Sequence, residues 1–586
     1  MTSAPLPPAF LNVEASLTGR RWVGPDEAQI RLAEAIAQAA RLPLPLCRIL
    51  AQRGVTPLDA ASFLAPTLKD LLPDPRSLHD MEKAARRFLR AVANHEKIAI
   101  FADYDVDGGS SAALLIIWLR AMGRQATLYI PDRIDEGYGP NVLAIQSLAA
   151  THSLIICVDC GTLSHEPIAA ATPADVIILD HHLALETLPA AHAVVNPNRQ
   201  DEDGALAHLC AASVVFLMLV EANRQLREDR QQTPDLMALL DLVALATVAD
   251  VAPLIGVNRA LVRQGLKVMA RRERPGLRAL ADVSRMDAAP TSYALGFLLG
   301  PRVNAGGRIG QADLGARLLA TADDREAQEL AQRLDQLNTE RREITERVRE
   351  EAIAQAEARG FDAPLVWAAG DDWHPGVVGI VASRLKELTG RPAIVIGLDG
   401  DEGKGSGRSI SGVDLGAAIQ RLAAEGLLIK GGGHKMAAGL TVARDKLPEA
   451  MTRLSELLAR QGSGQAGTET LRVDGLLMPQ AATLQLAEQI EAAGPFGASA
   501  PAPRFVLPEV TLSARRMGES HLRLSIRNPG GPALEAVAFG AFDGPIGPAL
   551  ENSGSRPFHL AGKLEVNSWG GRNRVQLRLD DVAPAD

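Results

Sequence analysis

The chain has 586 residues, 47% hydrophobic and 22% charged, with a formal net charge of −9. That length exceeds what one core serves and calls for roughly three or four domains, and the negative charge excludes a generally basic nucleic-acid binder while leaving room for local basic surfaces. No stretch reaches the roughly 18 apolar residues of a membrane span, the N-terminus has neither the basic nor the apolar part of a leader, and the four cysteines form no disulfide framework, so a cytoplasmic protein is expected, away from membranes and by default a monomer.

In chain order, residues 1–50 are a Pro-rich start and an amphipathic helix around Asp26–Ala40, with short Pro- and Leu-rich helices expected up to Asp80. From about Ala84 to Pro197, apolar runs alternate with helical stretches. Strands are predicted at Ile98–Phe101, Ala126–Ile130, Leu154–Val158, Val176–Leu179 and Ala193–Val195. This is the α/β pattern of a doubly wound, mainly parallel sheet, in which ligands bind beyond the carboxyl ends of the strands. The first strand runs into Asp103, Asp105 and Asp107; Gly108 and Gly109 are then expected to turn the chain, with Ser110 or Ser111 capping a helix Ala112–Met122. The third strand ends in Asp159 and the fourth in Asp180-His181-His182. Cys157 and Cys160 form a C-x-x-C with no second pair inside an apolar run, where strand packing is favoured over zinc or redox chemistry.

Helices are predicted from Ala211 to about Arg271. The almost wholly apolar one at Asp235–Thr247 should be buried, and it delivers Asp250 just past its end. The basic segment Arg271–Arg278 reads either as a solvated face or as a DNA-contacting edge. GPRVNAGGRIG (Gly300–Gly310) sets Arg302 and Arg308 among glycines, where backbone and guanidinium groups could both reach a phosphate. Asp324–Arg359 reads as one polar spacer helix between two lobes. A second, smaller α/β unit follows, with strands at Leu365–Ala368 and Ala393–Ile396 and glycine-rich turns at Gly403–Gly412 and Lys430–Gly439. After a Gly-rich linker, short β-like runs point to a small antiparallel OB-like barrel suited to single-stranded nucleic acid. The expected division is thus an N-terminal region (1–50), a catalytic domain with a helical extension (51–323), a connecting helix (324–359), the second α/β domain (360–461), a linker (462–468) and the OB-like domain (469–586).

Carboxylates this dense repel one another unless cations neutralise them. Oxygen and imidazole ligands without cysteine suit Mn²⁺ or Mg²⁺. Their number exceeds the needs of one ion and points to two, about 3.5–4 Å apart. Asp159, on what should be the central strand, is the candidate bridge. The chain carries no G-x-x-x-x-G-K-[ST] and no G-x-S-x-G, so metal-dependent phosphoester hydrolysis is the chemistry its residues support.

The order ADYDVDG, VDCGT, Asp180-His181-His182, TVADVAPL resembles the signature of the DHH phosphoesterase superfamily. With LPDPRSLHDMEKA, PDRIDEGYG, GPRVNAGGRIG, HPGVVGIVASR, GSGRSISG and GGGHKMAAG in the same order, roughly residues 20–585 resemble its RecJ family. The resemblance implies a DHH domain, a DHHA1 domain and an OB-like domain, and 5′-to-3′ degradation of single-stranded DNA to 5′-mononucleotides in recombination and repair. It implies Asp105, Asp107, Asp159, His181 and Asp250 as metal ligands with Asp103 close by, His182 facing the scissile phosphate, and Asp180 orienting the histidine pair. It implies Arg133, Arg308, Ser406 and Arg408 as contacts to DNA phosphates, including the 5′-terminal one, and His434 near the substrate; Arg302 and Asn304 of the glycine-rich segment are further expected substrate contacts. Single-strand-binding protein and a RecQ-type helicase are its implied partners. That family often carries a PFGxGNPEP-like segment; here Pro495–Pro503 reads PFGASAPAP, without the Asn and Glu. The alternatives are a DHH hydrolase of oligonucleotides or small nucleotides, and a non-catalytic DHH scaffold, although here every ligand position is filled.

Overall fold

The computed structural model describes residues 8–132, 136–464, 469–527, 531–569 and 572–585. The chain forms two compact units, one of residues 1–73, 253–264 and 467–586, the other of residues 74–252 and 265–466.

The second unit opens with a five-stranded, all-parallel sheet. Its strands are β1 (Ile98–Ala102), β2 (Ala126–Tyr129), β3 (Leu154–Val158), β4 (Asp175–Leu179) and β5 (Ala193–Val195), in the order β2-β1-β3-β4-β5. β1 and β3 are buried along their whole length, as unbroken apolar runs in a sheet covered on both faces should be. The order reverses direction between β1 and β3, and that switch point is where such sheets hold their ligands.

The helix after β1, α1 (Val106–Ala121), begins six residues before the expected Ala112. Its cap is Asp105, whose Oδ1 accepts from the amides of Asp107 (2.8 Å) and Gly108 (3.1 Å). Ser110 and Ser111 are not caps; they lie fully buried within the helix. Gly108 does not turn the chain either. A Cβ there would stand 2.4 Å from the Asp103 carbonyl oxygen, so glycine lets the helix start against the strand end. Asp107 is thereby fixed on the first helical turn.

Three further helices bear on the site: α2 (Ala211–Glu228), α3 (Leu240–Ala249) and α4 (Gly300–Ile309). The last runs through the GPRVNAGGRIG segment as a helix. Its glycines serve close packing: a Cβ on Gly307 would lie 2.8 Å from both Cβ and O of Tyr104. In the basic segment before it, Arg272 pairs with Asp282, Arg274 with Asp241 and Arg278 with Asp324.

The helix α5 spans Asp324–Arg359, and it is less of a spacer than its polar sequence implies. Ala327, Leu330, Ala331, Leu334 and Leu337 bury one stripe in its first half. Val348, Ala352 and Ala356 enter a core with Trp373, Val377 and Val381 in its second. That core belongs to a second sheet, built from β6 (Val366–Asp371), β7 (Ala393–Asp399), β8 (Glu402–Arg408), β9 (Lys430–His434) and β10 (Ala437–Ala443), with α6 (Pro375–Thr389) after β6. The order is β9-β10-β8-β7-β6, parallel only between β6 and β7. The two expected glycine-rich turns are therefore strands. Gly403, Gly405 and Gly407 face the apolar side, where Ile396, Leu440 and Leu415 leave no room for a Cβ.

In the first unit, helices Glu27–Ala40, Leu44–Gln52 and Ala60–Leu64 share one core through Ile36, Cys47, Leu50 and Ala60, so the chain does not divide at residue 50. The C-terminal sheet comprises β11 (Gly475–Leu476), β12 (Phe505–Val510), β13 (Leu512–Met517), β14 (His521–Ile526), β15 (Leu534–Ala538), β16 (Phe558–Trp569) and β17 (Arg572–Pro584), ordered β11-β12-β16-β17-β15-β14-β13. It is mixed rather than wholly antiparallel. β17, the return arm of a long hairpin with β16, lies parallel to β15, and β11 lies parallel to β12. Among the described residues no helix is long and apolar enough to cross a membrane.

Candidate active site

The site stands at the β1/β3 switch point. β1 delivers Asp103, and the start of α1 delivers Asp105 and Asp107. β3, central in the sheet, delivers Asp159, β4 delivers Asp180-His181-His182, and the C-terminus of α3 delivers Asp250. Asp159 has φ +60°, a left-handed conformation that costs of order 1–3 kcal/mol. Asp103, Asp107, Asp159 and Asp180 are each less than 5% exposed.

Three triplets of side chains bring one ligand atom each within 4.8 Å of one another: Asp159/His181/His182, Asp107/His181/Asp250 and Asp103/Asp105/Asp159. Asp159 and His181 each belong to two of them. His181 Nε2 lies 3.2 Å from Asp159 Oδ1, 3.7 Å from Asp107 Oδ2 and 3.8 Å from Asp250 Oδ2.

The electrostatics is that of a site built around positive charge. Burial, and after it Asp107, Asp105, Asp103 and Asp250, push Asp159 well above the ordinary carboxylate range. Burial and Asp105 raise Asp107 against the pull of His181, and burial with Asp107 and Asp105 pushes Asp250 up to about 8. Asp159 Oδ1 is buried and receives no hydrogen bond. Several buried oxygens and imidazole nitrogens, crowded and incompletely satisfied, with no cysteine among them, fit hard divalent cations such as Mg²⁺ or Mn²⁺. The C-x-x-C is no part of this. Cys157 lies within β3 and Cys160 is buried just beyond it.

Hydrogen bonds from behind fix these groups. Asp107 accepts from the amides of Ala211 (2.7 Å) and Ala212 (2.8 Å), the first two residues of α2, so a helix N-terminus faces its carboxylate. Asn304 of α4 accepts at its Oδ1 from the Val106 amide at 3.0 Å and pins the start of α1. Asp180 Oδ1 accepts from the amides of His181 (2.7 Å) and His182 (3.2 Å) and lies 2.8 Å from His182 Nδ1, while its Oδ2 accepts from the Thr162 amide. Burial opposes charge on both groups, but the pairing outweighs it. Asp180 is held below the usual carboxylate range and His182 is raised to about 9.

Four positioning residues escaped the sequence reading. Asn196 Nδ2 donates to the His182 carbonyl (2.8 Å) and Asn198 Nδ2 to the His181 carbonyl (2.5 Å), both from the turn after β5. Thr162 supports Asp180 and, through its hydroxyl, Asn196. Tyr138 donates its hydroxyl to the Asp159 carbonyl (3.1 Å), 3.2 Å from His182 Nε2. Tyr138 lies inside the PDRIDEGYG motif, which was the available signal. The Asn-Pro-Asn turn marked a further strand end.

The remaining predicted contacts fall elsewhere. Arg302 pairs with Asp335 (2.8 Å) and donates to the Leu298 carbonyl. Arg308 Nη1 donates to the Gly376 carbonyl (3.2 Å), tying α4 to the start of α6. On the second sheet, Arg408 Nη1 donates to Ser406 Oγ at 2.9 Å, and Arg408 and His434 share one rung across Ala437. Arg133 lies outside the described residues.

A parallel sheet whose switch point carries Asp103, Asp105, Asp107, Asp159 and the Asp180-His181-His182 triplet defines the DHH class of proteins. Residues 97–247 match the DHH family N-terminal domain, 362–460 the DHHA1 domain and 473–581 the RecJ OB domain. The single-stranded-DNA-specific exonuclease RecJ of Dickeya dadantii is 40% identical over 564 residues, covering 93% of this chain and 96% of the relative; that of Escherichia coli is 37% identical with the same coverage. The crystal structure of RecJ in complex with Mn²⁺ from Thermus thermophilus superimposes with a TM-score of 0.80 at 28% identity, over 96% of this chain and 79% of that one. The corresponding Mg²⁺ complex gives 0.74 at 27%, over 96% and 78%. The chain belongs to the RecJ family.

Proposed function

We propose that the protein is a single-stranded-DNA-specific exonuclease that works from the 5′ end and releases 5′-mononucleotides, with two Mn²⁺ or Mg²⁺ ions at the β1/β3 switch point. The observation that carries this reading is the overlap of three ligand triplets in Asp159 and His181, which lets neighbouring cations share ligands. Asp103, Asp105, Asp107, Asp159, His181 and Asp250 would hold the ions. Bound there, the cations would acidify an attacking water and neutralise charge on the phosphate.

The chain's own groups do the rest. Asp180, 2.8 Å from His182 Nδ1, orients the imidazole and raises its pKa, so that His182 can present a hydrogen-bond donor to the scissile phosphate. Tyr138, Asn196 and Asn198 hold the histidine pair and the Asp159 turn rigid. Ser406, Arg408 and His434 supply phosphate contacts from the DHHA1 domain, and Arg308 on α4 and Arg133 supply further ones. Arg302 and Asn304 act through positioning rather than direct contact. The parallel-sheet region that begins at residue 74 carries the chemistry, the helix 324–359 and the DHHA1 domain (360–461) hold the strand, and the terminal domain (469–586) binds further nucleic acid. Work in the cytoplasm on recombination and repair intermediates, with single-strand-binding protein and a RecQ-type helicase as partners, completes the reading.

The test is degradation of single-stranded and fully duplex DNA of the same sequence with Mn²⁺, then with the metal chelated. Loss of the single strand alone, abolished by chelation, is the expected result. Equal attack on both substrates would overturn the single-strand assignment.

A further inference from the structure

Two aromatic rings stand exposed on the helical run that leads into α4. Tyr293 is 59% and Phe297 68% exposed, and the rings stack with centroids 4.9 Å apart and planes 22° from parallel. They sit on and just before a π-helical turn, Ala294–Leu299, a rare geometry that recurs at functional sites. Aromatics are scarce in this chain, 4% of residues, and these two face solvent rather than a core.

The turn packs on the end of the helix that delivers Asp250. A Cβ on Gly296 would lie 3.4 Å from Val248 Cγ1, and one on Gly300 3.2 Å from Ala249 Cβ. Val251, just past Asp250, is itself 69% exposed with φ +59°, which extends the apolar rim toward the carboxylates. Arg302, five residues beyond Phe297 in the same helical run, is near Arg341 of α5, as is Arg342. Arg341 donates to the neutral Asn338 (2.9 Å), and its Nε is buried without a partner. Burial, with Arg342 and Arg302, lowers its pKa.

We propose that Tyr293 and Phe297 form a base-stacking platform for the single strand that feeds the Asp159 cluster, with Arg341 receiving a backbone phosphate. Stacked rings beside a cation are how proteins bind single strands without reading sequence, since every base offers a π-face. The inference rests on the exonuclease reading and extends it to two side chains that touch no metal ligand.

The probes are a 3′-fluorescein dT₁₂ and an abasic strand of the same length, titrated by anisotropy without metal. The wild-type protein is expected to bind dT₁₂ at least about tenfold more tightly than the abasic strand. Tyr293→Ala/Phe297→Ala should close that gap by about tenfold, Phe297→Leu should narrow it, and Phe297→Trp should preserve it. Arg341→Ala should weaken both strands alike and lower the salt slope by about one ion. A gap that survives the double substitution overturns the platform and leaves the rings as a surface for another molecule. Wild-type protein that binds neither strand overturns the exonuclease reading, and the platform with it.

Discussion

His181 Nε2 lies 3.2 Å from Asp159 Oδ1, a buried oxygen that accepts no hydrogen bond. One strand end and its neighbour thus present ligand atoms to the same point, and Asp159 does so in a left-handed backbone conformation. Asp159→Ala removes the ligand common to two triplets while leaving the phosphate contacts of the second sheet in place. Cleavage should fall by more than the roughly 100-fold that substitutions of groups behind the ligands reach, and single-strand binding should persist. A nuclease assay paired with anisotropy checks this; near-normal turnover would refute the shared-ligand assignment.

Asp180→Asn removes the charge that holds His182 protonated. The imidazole should then titrate well below its present value of about 9, and activity should fall roughly 10–100-fold, the more so as pH rises. Metal affinity should change less than in the Asp159 variant. Rate–pH profiles with calorimetric metal titrations separate the two effects.

The metal-free protein should lose stability as pH rises. Asp107, Asp159 and Asp250 are shifted upward in the folded state, Asp250 to about 8, so the native chain retains protons that the unfolded chain has released above its ordinary carboxylate values. Stability from these groups is therefore present at low pH and is lost through the window between about 4, the unfolded carboxylate value, and about 8. Added Mn²⁺ should raise the melting temperature more at about pH 8 than at about pH 6. Equal increments at both values would contradict the proton–metal exchange.

Gly307→Ala places a methyl group 2.8 Å from Tyr104 Cβ and O, between α4 and the acidic loop. Overpacking of this kind costs about 1–3 kcal/mol. Lower denaturant midpoints and weaker metal binding are expected together, because Asn304 on the same helix pins Val106.

Arg408→Ala should reduce the preference for a 5′-phosphorylated end. Its guanidinium is held by Ser406 Oγ (2.9 Å) and the Gly407 carbonyl (2.8 Å), which aims it along the rung shared with His434. Competition between phosphorylated and unphosphorylated strands measures this directly, and an unaltered ratio would remove Arg408 from end recognition.

The parallel sheet was legible because β1 and β3 are unbroken apolar runs ending abruptly in carboxylates, and the carboxylates could be assigned to one site because strand ends converge. What the sequence concealed was close packing. Gly108 reads as a turn and Gly307 as room for a phosphate, yet each occurs where a helix meets another backbone too closely for a side chain. Likewise Gly403, Gly405 and Gly407 look like a loop but pave the apolar face of a strand. Nothing in one dimension shows that Arg302 stands beside Asp335 or Asn304 beside the Val106 amide. Asn196 and Asn198 were missed for the converse reason: each acts on a backbone carbonyl, which leaves no mark on the pattern of side chains.

The most direct measurement is digestion of single-stranded DNA, labelled at either its 5′ or its 3′ end, with Mn²⁺ present. Immediate release of labelled mononucleotide from the 5′-labelled strand, with the 3′ label retained until the strand is nearly consumed, is the predicted result. Prompt release of the 3′ label, or products no smaller than internal fragments, would contradict the account.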